Sequence, residues 1–263
     1  MTESHFRAVS ASEAVRANRA DWDRSADDYQ EEHGEFLGDI GFIWGPEGVD
    51  ESTVRLLGEV AGRRVLEIGC GAAQCARWLR TQGASPVGVD LSLRQLQHSR
   101  RIDDATGVEV PVACATATAL PVRSESVDLA CSAFGAFSFI IDIDVAMAET
   151  ARVLVPGGRL VISVVHPARW MFPDDPSSRG LTVSRSYFDR TPYVETDDSG
   201  RATYVEPHHT LQDWFRAIVG AGLTVEDLHE PVWPEGHDRV WGAWGPVRGA
   251  FVPGTLIISA TKR

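Results

Sequence analysis

Short apolar runs alternate with amphipathic stretches of helical length along most of this chain. The first clear run, 64–68 (RVLEI), is apolar with glycines behind it and reads as a buried strand. Residues 72–81 follow, with Ala76, Leu79 and Arg80 at helical spacing, and 86–89 form a second strand. Ser92 is placed to cap a helix that runs to about residue 101. Strands are predicted over 108–113 and 126–131. A helix over 142–154 stops before Pro156-Gly157-Gly158, and 159–165 (RLVISVV) is the fifth strand. The rhythm breaks over 167–208, which is rich in Pro, Asp, Ser and Arg. It resumes with a helix over 210–220, whose Leu211, Trp214, Phe215, Ile218 and Val219 share a face. A sixth strand over 223–228, a Trp- and Gly-rich loop over 231–253 and a seventh strand over 255–260 complete it. Ahead of the first strand, 11–33 reads as a helix carrying Ala14, Trp22, Ala26 and Tyr29. A loop over 34–50 and a short helix over 51–60 follow it. Strands alternating with helices imply a parallel sheet covered on both faces.

With 263 residues and 43% hydrophobic composition, the chain is able to bury one large core. Its formal charge of −12 argues against a phosphate-backbone partner, although solubility alone explains the charge equally well. Cys70, Cys75, Cys114 and Cys131 form no CxxC pair and sit in or beside apolar stretches. Buried, reduced thiols are expected, with no metal site. The first ten residues lack the pattern of a signal peptide, and no window approaches the roughly 18 apolar residues of a membrane span. A cytoplasmic protein without membrane attachment is expected, its oligomeric state left open.

The chemistry concentrates in Val65-Leu66-Glu67-Ile68-Gly69-Cys70-Gly71-Ala72-Ala73-Gln74, a strand, a glycine turn and a helix start. Glycines let a backbone approach a ligand closely, and a helix N-terminus offers free N–H groups. Nineteen positions after Gly71, Asp90 ends the second strand, where an acidic side chain accepts hydrogen bonds from ribose hydroxyls. A dinucleotide fingerprint needs a third glycine, and that position is Gln74. Glu67 suits a cationic amino-acid end better than a diphosphate.

These residues resemble the class I S-adenosylmethionine-dependent methyltransferases, and within them the small-molecule group called methyltransferase type 11. The resemblance rests on Glu67, Gly69 and Gly71, on Asp90-Leu91-Ser92, and on the stretch from Thr116 to Pro121. It continues through Ser126-Val127-Asp128-Leu129 and through Glu149, Arg152 and the Val153 to Gly158 turn. It covers about residues 60–165 well and 209–231 more loosely. It implies a Rossmann-like α/β fold with a seven-stranded, mostly parallel sheet and helices on both faces. An N-terminal helical lid and an insertion after the fifth strand complete that fold. One domain over 1–263 follows, divided into a lid (1–60), a cofactor core (61–166), an insertion (167–208) and a C-terminal helix with strands (209–263).

The resemblance also implies methyl transfer from S-adenosylmethionine, leaving S-adenosylhomocysteine, to a small, apolar or aromatic acceptor. A non-catalytic cofactor-binding module and a NAD-type oxidoreductase are the competing readings. Cofactor contacts are expected from Tyr29, Glu67, Gly69, Cys70, Gly71, Gln74, Asp90, Leu91, Ser92 and Gln95, and from Thr116, Ala117, Ala133 and Phe134. Many relatives carry Asp where this chain has Thr116, so either the Thr hydroxyl or nearby backbone is left to meet the adenine amine. Base-methylating relatives place an Asn- or Asp-Pro-Pro-aromatic tetrad where Phe134-Gly135-Ala136-Phe137 stands, which argues against nucleobase amines.

His166, directly after the fifth strand, is a candidate base, since ligands bind at strand carboxyl ends in such sheets. Similar proteins often place a His or an aromatic near the helix at 210, which makes His209 a second catalytic candidate and His208 a substrate contact. Loop aromatics, Trp44 and Trp170 foremost, are candidate walls for an apolar acceptor, with loop packing as the alternative.

Overall fold

A computed structural model describes residues 3–263. Its seven-stranded sheet has the order β4 (Val112–Cys114), β3 (Ser85–Asp90), β2 (Arg64–Ile68), β5 (Val127–Ser132), β6 (Leu154–Val165), β10 (Thr255–Lys262), β9 (Leu223–His229). All neighbours are parallel except β10, which runs against both β6 and β9. The central strands alternate between two cores. Leu66, Ile68, Leu160 and Ile162 face one; Val65, Leu129, Val161 and Ile257 face the other. This two-sided burial explains why the strands read as continuous apolar runs.

The connecting helices are α3 (Gln74–Thr81), α4 (Leu93–Thr106), α5 (Ile143–Val153) and α6 (Leu211–Gly220), with short helices α2 (Glu51–Val54) and α7 (Pro246–Gly249). Ser92 caps α4 by accepting from the Gln95 N–H, and Thr210 with Asp213 forms a capping box on α6. The face expected on α6 is only partly buried: Trp214, Ala217 and Ile218 pack inward, while Leu211, Phe215 and Val219 lie in solvent. Pro156-Gly157-Gly158 does not separate helix from strand. β6 begins at Leu154, and the glycines form an irregularity inside it, with Gly157 at φ +75° and a register jump against β5.

A second, antiparallel sheet was not foreseen. β1 (Glu3–Phe6) pairs with β7 (Tyr193–Thr196), which pairs with β8 (Ala202–Glu206), so part of the region expected as an irregular insertion is a hairpin. This small sheet seats α1 (Ala11–Leu37). Ala14 and Ala17 pack on Val194, Ala202 and Val205. Asn18 joins the ladder itself: its amide donates to the Val205 carbonyl at 2.9 Å and its oxygen accepts from the Val205 N–H at 2.8 Å. A side chain thereby covers a strand edge.

One buried ion pair ties the helices together behind the glycine turn. Arg77 is fully buried; its guanidinium donates to Asp103, to the Ala72 carbonyl and to Ser99. Removing one partner leaves a charge in the core. Arg77→Ala is expected to cost about 3–5 kcal/mol in urea unfolding, the range for breaking buried pairs. A loss below about 1 kcal/mol, as at exposed pairs, would mean that the pair does not hold α3 to α4.

Candidate cofactor and acceptor site

The chain order reverses between β2 and β5, and a crevice opens at their carboxyl ends, as in other open α/β sheets. Two glycines make the crossing possible. Gly69 has φ +72°, and a Cβ there would lie 2.5 Å from the Ala136 nitrogen. A Cβ on Gly135 would lie 2.7 Å from the Gly69 oxygen. Beside them Phe134 adopts the left-handed region at φ 51°, uncommon for a large side chain. Its N–H donates to the Ser163 hydroxyl, which in turn donates to the Trp44 carbonyl.

The glycine turn is held from both sides by carboxyl groups, Glu67 buried and Asp90 partly so. Asp90 accepts from the N–H groups of Gly71 and Ser92, each at 2.8 Å. Glu67 accepts from the Ala76 N–H at 2.8 Å. Burial pushes Asp90 upward from its ordinary range and pushes Glu67 up to about 8. Burial likewise raises the Cys70 and Cys75 thiols and the Tyr29 phenol, which stay protonated at neutral pH.

A cavity of about 360 Å³ opens on these groups. Tyr29, Glu67, Gly69, Cys70, Gly71, Gln74, Asp90, Leu91, Gln95, Thr116, Ala117, Ala133 and Phe134 all line it, so the structure brings most of the expected cofactor contacts together. Three amides cross it: Gln74 donates to Gln30 of α1, and Gln30 donates to Gln95. The Thr116 hydroxyl is engaged with Thr118. An aromatic wall of Tyr29, Trp22 and Phe139 stands in successive edge-to-face contacts at 5.5 Å. Trp22, Gln30 and Phe139 were missed in the sequence. For Trp22 and Gln30 the signal was present in α1, where cavity residues 11, 14, 15, 18, 22 and 29 keep helical spacing; Phe139 had none.

Other expectations are corrected. Ser92 is fully buried, its hydroxyl donating to Asp23 and capping α4, so only its N–H serves the cavity's rim. Trp44 is fully buried in the core and donates to Glu51. Trp170 is 5% exposed, stacks on Tyr193 and donates to Glu206. His166, His208 and His209 do not line the large cavity; they gather with Trp170 around a separate recess of about 20 Å³. His166 bonds Glu230, His208 the Tyr187 carbonyl and His209 the Ile140 carbonyl, and burial lowers all three imidazoles. The physical cause is the segment 136–140. Ser138 lines the recess and caps β6 by accepting from the Val165 N–H, while Phe139 and Ile140 line the cavity.

The comparisons agree with this geometry. The family described as "Methyltransferase domain" matches residues 66–162. Over that stretch the comparisons support the class I S-adenosylmethionine-dependent methyltransferase resemblance of its motifs. Its cofactor is S-adenosylmethionine. The residues fit that group: Glu67 lies buried in the cavity with no arginine or lysine hydrogen-bonded to it, which leaves it open to a cationic amino-acid end, and Asp90 lines the same cavity as a hydrogen-bond acceptor. Demethylmenaquinone methyltransferase of Thermus thermophilus is 37% identical over 140 residues, 52% of this chain and 60% of that protein. The chain spans about half the length of the curated relatives it matches. An S-adenosylmethionine-dependent methyltransferase structure from Mesorhizobium loti is 25% identical with TM-score 0.60, covering 83% of this chain and all (100%) of the other. The Burkholderia thailandensis 1,6-didemethyltoxoflavin-N1-methyltransferase shares the fold at 16% identity and TM-score 0.61, over 98% and 92% of the two chains.

Two measurements check the site. In the unfolded chain Glu67 ionises near 4.5, whereas in the folded protein it holds its proton to about 8. Its contribution to stability is therefore fully present below the lower value and is lost as pH rises through the window. Wild-type unfolding free energy, relative to Glu67→Gln, is expected to fall between pH 5 and 8; parallel profiles would show an ordinary carboxyl. Ser163→Ala leaves the Phe134 N–H without its acceptor and is expected to cost about 1–3 kcal/mol, read by denaturant unfolding.

Proposed function

We propose that this protein transfers a methyl group from S-adenosylmethionine to a small organic acceptor lying against the aromatic wall of Trp22, Tyr29 and Phe139. The observation that carries this reading is the shared cavity: the Glu67–Gly71–Asp90 cradle and the aromatic wall line one space. When bound, the cofactor supplies a methyl already activated on a sulfonium. The chain's own contribution is binding, orientation and exclusion of water. Glu67 takes the cationic end, and Asp90 takes the ribose hydroxyls through lone pairs not used by Gly71 and Ser92. α1 closes the space from above, with Gln30 bridging Gln74 and Gln95. Phe134 and the aromatic wall present an apolar surface to the acceptor. Neither His166 nor His209 lines the cavity, so no imidazole base is assigned.

The names of two comparison proteins, a demethylmenaquinone and a 1,6-didemethyltoxoflavin methyltransferase, support an organic small-molecule acceptor here as well. The charge of −12 supports a partner other than nucleic acid. No helix among the described residues is long and apolar enough to cross a membrane.

Titration of S-adenosylmethionine by calorimetry tests the reading. Asp90→Ala is expected to weaken binding by at least about tenfold, since hydrogen bonds to a charged group are worth about 1.5–3 kcal/mol. Unchanged affinity in Asp90→Ala would sink the ribose assignment. Binding of NADH in place of S-adenosylmethionine would sink the methyltransferase reading.

A further inference from the structure

The cavity continues past its cofactor end, and the far half has a different chemistry. The face of α1 that lines it runs from Leu37 back to Ala11. At about 1.5 Å per residue this is roughly 39 Å of helix. The cradle faces the later part of that stretch, through Tyr29 and Gln30. The earlier part presents Ala11, Ala14 and Val15, with Ile141 and Val145 also in the wall. Asn18 is polar, but its amide is spent on Val205 and on the Phe139 carbonyl. Apart from Asp142 at its rim, the rest of this wall is apolar side chain, and such a wall selects apolar atoms. Val15 and Val145 line the cavity and are also 36% and 47% exposed. At this end the cavity's apolar wall therefore includes side chains that reach solvent.

We propose that the acceptor is an amphiphile. Its reactive head lies beside Tyr29 and Phe134, and its apolar chain follows the first turns of α1 and leaves between Val15 and Val145. The Asp142 carboxylate at the same rim disfavours a chain that ends in an acid. This inference rests on the methyltransferase reading, because the head is located by the cofactor cradle.

The test uses the full protein saturated with S-adenosylhomocysteine and a series of 4-alkylphenols, methyl to nonyl, titrated by calorimetry. Affinity is expected to rise about fourfold per added methylene until the chain reaches solvent. Ala14→Phe fills the path, and Val15→Glu places a charge at its exit. Each is expected to flatten the series while S-adenosylhomocysteine binds as in the wild type. Ala14 also packs on the small sheet, so should Ala14→Phe fail to fold, Val15→Glu on the solvent side decides. A flat wild-type series, or a rising one untouched by Val15→Glu, overturns the amphiphile and leaves the methyltransferase reading standing. Failure of S-adenosylhomocysteine to bind overturns both.

Discussion

The site depends on two backbones passing within contact distance. Gly69 ends β2, and Gly135 lies just beyond β5. A Cβ on either would lie under 3 Å from the other's loop. Any side chain would wedge these loops apart at the one place where the sheet reverses its connection order. The strain at Phe134 follows from the same crossing, because the chain must turn sharply to pass Gly69. It is held by a relay through Ser163 to the Trp44 carbonyl. Trp44 is therefore tied to the cavity wall by its backbone, while its indole remains in the core. The loop that carries it supports the site without touching a ligand.

Around that crossing the protein withdraws carboxyl groups from water at a cost. Glu67 and Asp90 lie among apolar side chains, and each orients backbone N–H groups of the glycine turn or the helix behind it. Burial outweighs the opposing charge of Arg77, and Glu67 keeps its proton to about 8. Such a group is more comfortable with a cationic ligand end than without one, so the turn is organised in advance while part of its electrostatic balance is left for the cofactor to complete. The fully buried Arg77–Asp103 pair performs a different service. Its partners are internal, and it fixes the Ala72 carbonyl at the start of α3.

Much of this was legible in the sequence, because strand alternation, glycine turns and caps are local. The long-range pairing of motifs also has a local reading: Glu149 accepts from the Leu120 N–H, and Arg152 donates to the Leu120 and Val122 carbonyls. The Leu120-Pro121 turn and the helix bearing Glu149 and Arg152 are one hydrogen-bonded unit. What failed was direction. His166 follows a strand end, as a catalytic residue in such a sheet should, but residues 136–140 cross between it and the crevice. Loop tryptophans looked available for a ligand. Trp44 and Trp170 instead satisfy their indole N–H groups on buried carboxylates, Glu51 and Glu206, and fill the interior. Pairing of β1 with a hairpin almost two hundred residues away leaves no periodic trace.

The two ends of the cavity draw on different parts of the chain. The cradle lies within residues 66–162, the stretch that matches the methyltransferase domain. The opposite wall comes largely from α1, which lies outside that stretch and is seated by Asn18 and the small alanines on β7 and β8. A sheet that supports many chemistries leaves specificity to what is added to it. Here the addition is a helix whose cavity face is small and apolar at one end, aromatic in the middle and amide-bearing over the cradle. A shift of α1 by one turn, about 5.4 Å, would move Trp22 out of contact with Phe139 and Gln30 away from its two partners. Asn18 opposes that shift, because its paired bonds to Val205 fit only one register. The small sheet thus sets which side chains an acceptor meets, although it lines none of the cavity itself.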